Sequence, residues 1–305
     1  MYSDLTIIMM RNIPVLAVSG RTLAEAYEAA LVALFENGTR FRTQYDRPGD
    51  PLSCDCTLNL TILEPESDPV IHMAFPGGIE ELKEYVMELK GYKDHWVKNM
   101  NDEKDTRWEY TYHGRLKNYG VWKEMVNGIS TETGPFRVDQ IEKVIGKLSA
   151  QPFTRQAQMI TWMPDMDNDC YDPPCLQSLW YRILEDEEGT WWLNCNIRFR
   201  SNDAWGASFM NMFGFIQFNK EIIAAGVASR TGRRVKLGRL NWQADSYHIY
   251  GKDLQTAKER LFDRIADMPF EERTMPFNDP FIIEMYDSAE TAVIAKIREL
   301  DNRHV

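Results

Sequence analysis

Residues 156–201 contain three apolar segments separated by turn-forming residues: QAQMITWMP, CLQSLWYRILE and WWLNCNIRFRS, divided by DMDNDCYDPP and EDEEGT. Aromatic and β-branched residues bounded by Asp, Asn, Pro and Gly predict strands. Three long strands in series favour an antiparallel or mixed sheet. Cys175 follows two prolines, which fix the backbone and remove two N–H donors. The thiol is therefore predicted at a rigid turn that enters the second strand.

Helical periodicity occurs on both sides of these strands. Apolar residues recur at helical spacing in six segments: 21–37, 78–91, 138–149, 210–226, 256–266 and 287–300. Two more segments, 56–65 and 239–251, alternate as strands do. The chain is thus predicted to be α+β, with one large sheet flanked by helices.

Composition excludes some classes of function. The 305 residues carry a formal net charge of −11, which argues against a nucleic-acid surface because counterion release needs clustered Lys and Arg. The one basic run, RTGRRVKLGR at 230–239, is interpreted as a solvated turn. No stretch approaches the roughly 18 apolar residues of a membrane span. The N-terminal stretch MYSDLTIIMMRNIP lacks a basic n-region and a small-residue cleavage site, so a cytoplasmic protein is expected.

The cysteine and histidine positions predict no metal and no disulfide framework. The five cysteines are irregularly spaced, and Cys54 and Cys56 are too close for an ordinary disulfide. Packing roles are assigned to Cys54, Cys56, Cys170 and Cys195. The histidines are scattered, and no glycine pattern of the GxGxxG type follows a strand, so neither a metal nor a flavin is implied.

Three separated motifs resemble the thymidylate synthase family. They are PPC at 173–175, RSND at 200–203 with Asn211 eight residues after Asp203, and DSYHIY at 245–250. TRQAQMITWMPD at 154–165 is similar to a further family segment, and YHGRL and PPCLQ resemble its divergent archaeal and viral branches. The match is best over 105–253 and loose over 1–104, with 254–305 as a helical C-terminal part. The resemblance implies a single catalytic domain, 1–305, that dimerises through its sheet.

The resemblance implies covalent catalysis by Cys175. Its thiolate would add to C6 of a pyrimidine and make C5 nucleophilic toward the one-carbon unit of methylenetetrahydrofolate. A lowered thiol pKa would require a cationic neighbour, for which Arg200 is the candidate.

Four residues are candidates for binding the nucleotide phosphate. Arg200 and Ser201 match family phosphate ligands, and Arg155 matches an arginine that reaches the partner's phosphate in a homodimer. The family usually has two arginines there, whereas this chain has Arg155-Gln156. Arg47 is a candidate for the N-terminal phosphate loop, although Arg40 and Arg42 compete with it.

The resemblance implies that Asn211 recognises the base and that His248 and Tyr250 bind the sugar. An asparagine amide can donate to O4 and accept from N3–H of uracil. Because WGASFMN departs from the family pattern, Met210 or Met212 would enter the site if the register slipped, and a helix cap is the alternative role for Asn211. His248 and Tyr250 lie two apart, on one face of a strand, where both could bind the 3′-hydroxyl.

The remaining candidates concern protons and folate. Asp203 matches a family aspartate that lies near the pyrimidine and the folate. Tyr112 matches a family tyrosine that assists proton removal, and Tyr110 is the alternative candidate for that role. Glu84 matches a glutamate that orders water near O4, but a solvated glutamate is the alternative because it faces away from the apolar stripe of its helix. Trp96 would stack on folate or shield the site, or have an ordinary core role.

The resemblance leaves three functions open. The leading prediction is a thymidylate synthase that methylates dUMP. The alternative is a hydroxymethylase acting on dUMP, or on dCMP or CMP, since water can replace hydride and the chain ends in the polar RELDNRHV. A regulator that binds nucleotide or RNA without turnover is the remote alternative.

Overall fold

The computed structural model describes residues 12–303. The N-terminal stretch used to predict the absence of a secretion signal lies, through residue 11, outside the described residues, as do residues 304 and 305 of the polar ending. The strands are β1 Val15–Gly20, β2 Thr39–Phe41, β3 Ser53–Ile62, β4 Ile71–His72, β5 Trp122–Val126, β6 Ile129–Thr133, β7 Ala157–Ile160, β8 Leu176–Glu185, β9 Trp191–Phe199, β10 Asn202–Asp203, β11 Val235–Ile249 and β12 Thr274–Met275. The α-helices are α1 Leu23–Asn37, α2 Ile79–Leu89, α3 Tyr112–Lys117, α4 Gln140–Ala150, α5 Pro164–Asp167, α6 Ser208–Phe218, α7 Ala225–Thr231, α8 Leu254–Ala257, α9 Asp263–Ile265 and α10 Pro280–Arg303.

The main sheet has eight strands and is mixed. Its order is β1-β3-β11-β9-β8-β7, with β2 paired to β3 and β10 paired to β11. The pairs β1–β3 and β10–β11 are parallel, whereas β3–β11, β2–β3 and β7–β8 are antiparallel. The predicted α+β class with one large mixed sheet flanked by helices is confirmed. The chain folds into two compact units.

The first unit comprises the described residues up to Gly78 together with 198–213 and 238–284. Helix α1 begins with a capping box, in which Thr22 and Glu25 satisfy each other's backbone N–H groups. Its buried face includes Leu23, Tyr27 and Leu31, as the helical spacing predicts. Strand β10 pairs with β11 so that Asp203 lies opposite His248. This pairing holds two of the predicted site residues, Asp203 and His248, side by side.

A buried ionic cluster ties α1 to β4 and to Arg273, the residue before β12, in the first unit. The Glu28 carboxylate accepts hydrogen bonds from His72 Nε2 at 2.8 Å and from Arg273 Nη2 at 2.7 Å. Burial acts to raise the pKa of Glu28, but the hydrogen bonds from His72 and Arg273 outweigh it, so the pKa lies below the ordinary value. Glu28 is therefore an ionised carboxylate inside the fold.

The second unit comprises residues 79–197, 214–237 and the described residues from Met285 onward. Helix α4 is capped by Asp139, which accepts from the Glu142 N–H. The buried faces of β8 and β9 carry apolar side chains at every second position: Leu179, Tyr181, Ile183, Leu193, Cys195 and Ile197. Helix α6 passes through a π-helical segment, Asn219–Ala224, into α7. Among residues 12–303, no helix is long and apolar enough to cross a membrane.

The interpretation of 230–239 as a turn is wrong. Helix α7 continues to Thr231, and β11 starts at Val235, so only residues 232–234 connect the two. Gly232 adopts φ 68°, the left-handed conformation that ends a helix within one residue. Arg230 pairs with Glu142 and Arg233 with Glu185, so acidic residues from other elements balance the basic run. Because these acidic partners are distant in sequence, the local pattern did not reveal them.

Candidate active site

Cys175 lies immediately before β8, as the two prolines predict. The thiol is partly exposed, whereas Pro174 before it and Leu176 after it are buried. Gln177 Nε2 donates to the Pro174 carbonyl at 2.9 Å, and the Thr161 hydroxyl donates to the Leu176 carbonyl. These bonds fix the backbone on both sides of Cys175.

Two tyrosines adjoin Cys175 in the second unit. The Leu176 N–H donates to the Tyr112 hydroxyl at 3.4 Å, and the rings of Tyr110 and Tyr112 lie 5.5 Å apart. Burial raises the pKa of Tyr110, and a negative charge on Cys175 or Asp172 raises it further. Burial also raises the pKa of Tyr112, with contributions from Tyr110 and Cys175. Both phenols thus stay protonated at neutral pH and are available as hydrogen-bond donors.

Glu84 is held by two lysines. Its carboxylate accepts from Lys93 Nζ at 2.7 Å and from Lys296 Nζ, on α10, at 2.6 Å. Burial acts to raise the pKa of Glu84, but hydrogen bonds from Lys296 and Lys93 lower it more, so the pKa is below the ordinary value. The side chain is only 16% exposed. Glu84 is therefore neither a simple solvated glutamate nor part of the apolar stripe.

Trp96 packs against the C-terminal helix. It contacts a buried cluster of Met87, Val293 and Ile297, and Lys93 Nζ lies 5.5 Å from the ring centroid. Trp108 meets Trp96 edge to face at 5.6 Å. Two aromatic rings and α10 thus form one apolar wall in the second unit.

A cavity of about 270 Å³ also lies within the second unit. Its apolar lining includes Met100, Met163 and Met166, and its polar lining includes Tyr110 and the Lys98–Glu109 ion pair at 2.6 Å. Among the described residues, no group of three or more His, Cys, Asp or Glu side chains could hold a metal ion.

The phosphate candidates of the first unit are Arg200, Ser201 and Arg47. Arg200 and Ser201 are partly buried between β9 and β10, and the Arg200 carbonyl accepts from the Ser246 N–H at 3.2 Å. Arg47 lies in an exposed loop whose Asp46 accepts from the Ser53 hydroxyl at 2.7 Å. Ser53 in turn accepts from the Gly251 N–H, next to Tyr250.

The rivals of Arg47 differ in their contacts. Arg40 Nη2 donates to the Phe35 carbonyl at 3.1 Å, and Arg42 is exposed. Within residues 12–303, the Arg47 guanidinium has neither a hydrogen-bond nor an ion-pair partner.

Arg155 is exposed two residues before β7 in the second unit. Its carbonyl accepts from Trp180 Nε1 at 2.9 Å, and its guanidinium has no partner in the described part of the chain. Gln156, at the position of the second family arginine, accepts from Lys147 Nζ at 2.9 Å. A cation is thus present beside the position where the expected arginine is missing.

Asn211 lies inside α6, not at its start, so it is not a helix cap. The side chain is 7% exposed, and its Oδ1 accepts from Asn202 Nδ2 at 2.9 Å. Asn202 Oδ1 accepts in turn from the indole Nε1–H of Trp242 at 3.1 Å. Met212 is fully buried in the core.

Asp203 orders the turn before α6. Its Oδ1 accepts from the N–H groups of Trp205 at 3.0 Å and Gly206 at 2.8 Å. A Cβ at Gly206 would lie 2.6 Å from Asp203 Oδ2, so a larger residue there would displace the Asp203 carboxylate from this position.

His248 and Tyr250 contact each other at the end of β11, with ring centroids 4.7 Å apart. Ser246 Oγ lies 3.2 Å from His248 Nδ1 and donates to Asp55 Oδ2 at 2.6 Å. His248 Nε2 is buried and has no hydrogen-bond partner among the described residues. A buried ring nitrogen of this kind can bond to a ligand or to an ordered water.

The sequence interpretation missed Asp55, Asn202 and Ser246. Asp55 has a signal that could have revealed it, because a charged residue within the apolar strand SCDCTLNLTI is unusual unless it is paired. Asn202 was quoted within RSND without a role. Its partner Trp242 is 40 residues away, and nothing local predicts the contact.

Comparison with known proteins identifies the family. A sequence model of the thymidylate synthase family matches residues 74–288, more than half of the chain. This chain belongs to the thymidylate synthase family. A "Putative thymidylate synthase" of Methanosarcina barkeri is 26% identical over 236 residues, covering 77% of this chain and 90% of the relative. One of Methanosarcina acetivorans is 31% identical over 177 residues, covering 57% and 63%.

A solved thymidylate synthase shares the fold. The thermostable thymidylate synthase A of Bacillus subtilis superposes with a TM-score of 0.54 at 18% identity, covering 79% of this chain and 84% of that one. The resemblance predicted from the motifs is confirmed, and the matched region extends beyond 105–253 at both ends. The chain is a thymidylate synthase-like enzyme, and its family acts on a pyrimidine nucleotide with methylenetetrahydrofolate.

Proposed function

We propose that this enzyme converts dUMP to dTMP through a covalent bond between Cys175 and C6 of the uracil ring. The observation that carries the proposal is the buried amide of Asn211, whose Oδ1 is engaged by Asn202. An asparagine can pair with O4 and N3–H of uracil, and a buried, hydrogen-bonded amide is well suited to that task.

Cys175 acts as the nucleophile in this proposal. Its thiolate adds to C6, and the electron pair of the C5–C6 double bond makes C5 nucleophilic. Methylenetetrahydrofolate, when bound, supplies the one-carbon unit for C5 and then a hydride. The protonated phenols of Tyr110 and Tyr112 are suited to orient the base that takes the C5 proton. The C6–S bond breaks at the end and returns the thiolate.

The phosphate is assigned to Arg200, Ser201 and Arg47, and the 3′-hydroxyl to His248 and Tyr250. Two observations support these assignments: Nε2 of His248 has no hydrogen-bond partner within residues 12–303, and the Gly251 N–H, next to Tyr250, bonds to Ser53, which bonds to the Arg47 loop. Asp203 is assigned to contacts with pyrimidine and folate. Glu84 is assigned to water near O4, with Lys93 and Lys296 keeping it ionised.

A methyl product requires that water be excluded from the one-carbon unit. The apolar wall of Trp96, Trp108 and α10 is suited to exclude it and to contact folate. The second candidate function is a 5-hydroxymethylase of dUMP, dCMP or CMP, which shares every step up to the exocyclic methylene and differs only in that water replaces hydride.

We also propose a cytoplasmic homodimer that associates through the sheet, with Arg155 binding the partner subunit's nucleotide phosphate. The exposed guanidinium of Arg155 supports this role. A monomer with full activity would contradict it.

The test is product identification by mass. The protein is incubated with methylenetetrahydrofolate and, separately, dUMP, dCMP, UMP and CMP. We expect dUMP to gain one CH₂ group while dihydrofolate forms. A gain of CH₂O with release of tetrahydrofolate would establish the hydroxymethylase instead.

A pair of cysteine variants tests the covalent step. Cys175→Ser should abolish turnover and leave nucleotide binding measurable. Cys170→Ser, in the neighbouring turn, is the matched control and should keep wild-type activity. Near-normal turnover by Cys175→Ser would exclude the covalent mechanism.

A further inference from the structure

Three buried side chains in the first unit form a hydrogen-bonded series that ends at Asn211. Trp242 Nε1 bonds to Asn202 Oδ1 at 3.1 Å, and Asn202 Nδ2 bonds to Asn211 Oδ1 at 2.9 Å. Asn202 is 4% exposed, and Trp242 is fully buried and stacks on Phe199 with centroids 4.5 Å apart. Water therefore does not compete readily for these groups.

The chemistry of Trp242 fixes the direction of the series. An indole N–H can only donate, so the atom of Asn202 that faces it must be the amide oxygen. The NH₂ group of Asn202 then faces Asn211, and the atom of Asn211 that meets it must again be oxygen. The Asn211 amide is thus held with Oδ1 beside Asn202 and Nδ2 turned away.

We propose that Trp242 and Asn202 are specificity-determining residues that hold Asn211 in the orientation for a uracil ring and against a cytosine ring. This inference rests on the proposed function, in which Asn211 contacts the base. An unconstrained asparagine can read either base, since rotating its amide by 180° exchanges donor and acceptor. Asn211 loses this freedom because its orientation is set by a donor-only residue two side chains away.

Rotation of the Asn211 amide would place its NH₂ group against the NH₂ group of Asn202. Asn202 could relieve that contact only by rotating too, which would turn its NH₂ group toward the indole N–H. Either arrangement leaves a buried donor without an acceptor, so we expect the series to contribute about 10-fold to 100-fold to the preference for uracil.

The experiment measures dissociation constants of dUMP and dCMP by calorimetry with the wild-type protein and three variants. Asn202→Ala removes the constraint, and the dUMP preference should fall at least about tenfold. Asn202→Asp presents only acceptors, so the Asn211 NH₂ group should turn toward it and the preference should shift to dCMP. Asn241→Asp adds the same charge beside Trp242 on β11, where Asn241 bonds to Asn59 instead, and should keep the wild-type ratio.

The ratio of the two dissociation constants separates a change in specificity from a loss of folded structure, because a loosened fold weakens the binding of both nucleotides alike. A folded Asn202→Ala protein with the wild-type ratio would overturn the inference, even if Asn202→Asp does not fold. A wild-type protein that binds neither nucleotide would instead contradict the proposed function. The two failures are therefore distinguishable.

Discussion

Ser246 connects a carboxylate to the imidazole that is proposed to bind the sugar. A carboxylate accepts hydrogen bonds only, so the Ser246 hydroxyl donates to Asp55, and its oxygen then accepts from His248 Nδ1–H. In a neutral imidazole with the proton on Nδ1, the buried Nε2 is an acceptor. The arrangement favours a ligand that donates an O–H group at this point, as a 3′-hydroxyl does.

Ser246→Ala removes both bonds, and the structure sets the size of the effect. Asp55 is 5% exposed and its Oδ1 has no hydrogen-bond partner in the described residues, so the Ser246 hydroxyl is the main donor to the carboxylate, with support from the Cys56 and Tyr247 backbone. Losing a hydrogen bond to a buried charge costs about 1.5–3 kcal/mol, which lowers Tm by about 2–5 °C in a chain of this size. Loss of the fixed Nδ1–H form should weaken dUMP binding about fivefold, equivalent to about 1 kcal/mol.

The stability effect should depend on pH. Burial raises the pKa of Asp55, while hydrogen bonds from the Ser246 hydroxyl and from the Cys56 and Tyr247 backbone act to lower it, as does His248 when its imidazole is protonated. The hydroxyl stabilises the ionised form, so its removal matters most above the folded-state pKa of Asp55. The difference between Ser246→Ala and the wild type should therefore shrink as Asp55 is protonated at acid pH.

The assay combines thermal unfolding with calorimetric binding of dUMP and its 3′-deoxy analogue. Ser246→Ala should lose affinity for dUMP and none for the analogue, which has no hydroxyl to donate. Ser246→Thr keeps the hydroxyl and should restore both properties. Thr57→Ala removes a hydroxyl that bonds to the Asp245 carbonyl at 2.8 Å on the same strand pair, and is the matched control. An equal loss of affinity for both nucleotides would refute the assignment of His248 as a hydroxyl acceptor.

Two further predictions concern ionised carboxylates. Glu28→Gln should lower the free energy of unfolding at pH 7 by about 3 kcal/mol, because its two basic partners lose a buried anion. The folded-state pKa of Glu28 is depressed, so its contribution is lost as pH falls, and urea titrations should show the difference narrowing below about pH 4. Lys296→Met should raise the pKa of Glu84 by removing a hydrogen bond to its ionised form, so the limb of the pH–rate profile that reports Glu84 should move to higher pH. Arg298→Met, exposed on the same helix, should leave the profile unchanged.

Local chemistry predicted several elements well. The Thr22 to Glu25 capping box starts α1 where the helical spacing indicated, and two prolines place Cys175 at the start of β8. These features need contacts only between residues a few positions apart, so the pattern contains the information. The family motifs also predicted the order of the site residues along the chain.

The partners of those residues could not be predicted in the same way. Lys296 reaches Glu84 across 212 positions, and Ser246 reaches Asp55 across 191. Such pairs depend on strand order and helix packing, which no local pattern encodes. Even the basic run at 230–239 was misinterpreted because Glu142 and Glu185, which balance it, come from other elements.

The two hydrogen-bonded series of the first unit follow the same physical rule. Asparagine, serine and neutral histidine can each donate or accept, so their side chains alone do not define what they present to a ligand. Trp242, which only donates, and Asp55, which only accepts, remove that ambiguity. The first series turns the NH₂ group of Asn211 away from Asn202, and the second leaves an acceptor at His248. A uracil nucleotide has an acceptor at O4 and a donor at its 3′-hydroxyl, whereas a cytosine nucleotide matches only the second. Substitution at Asn202 should therefore change base preference without affecting the hydroxyl preference, and substitution at Ser246 should do the reverse.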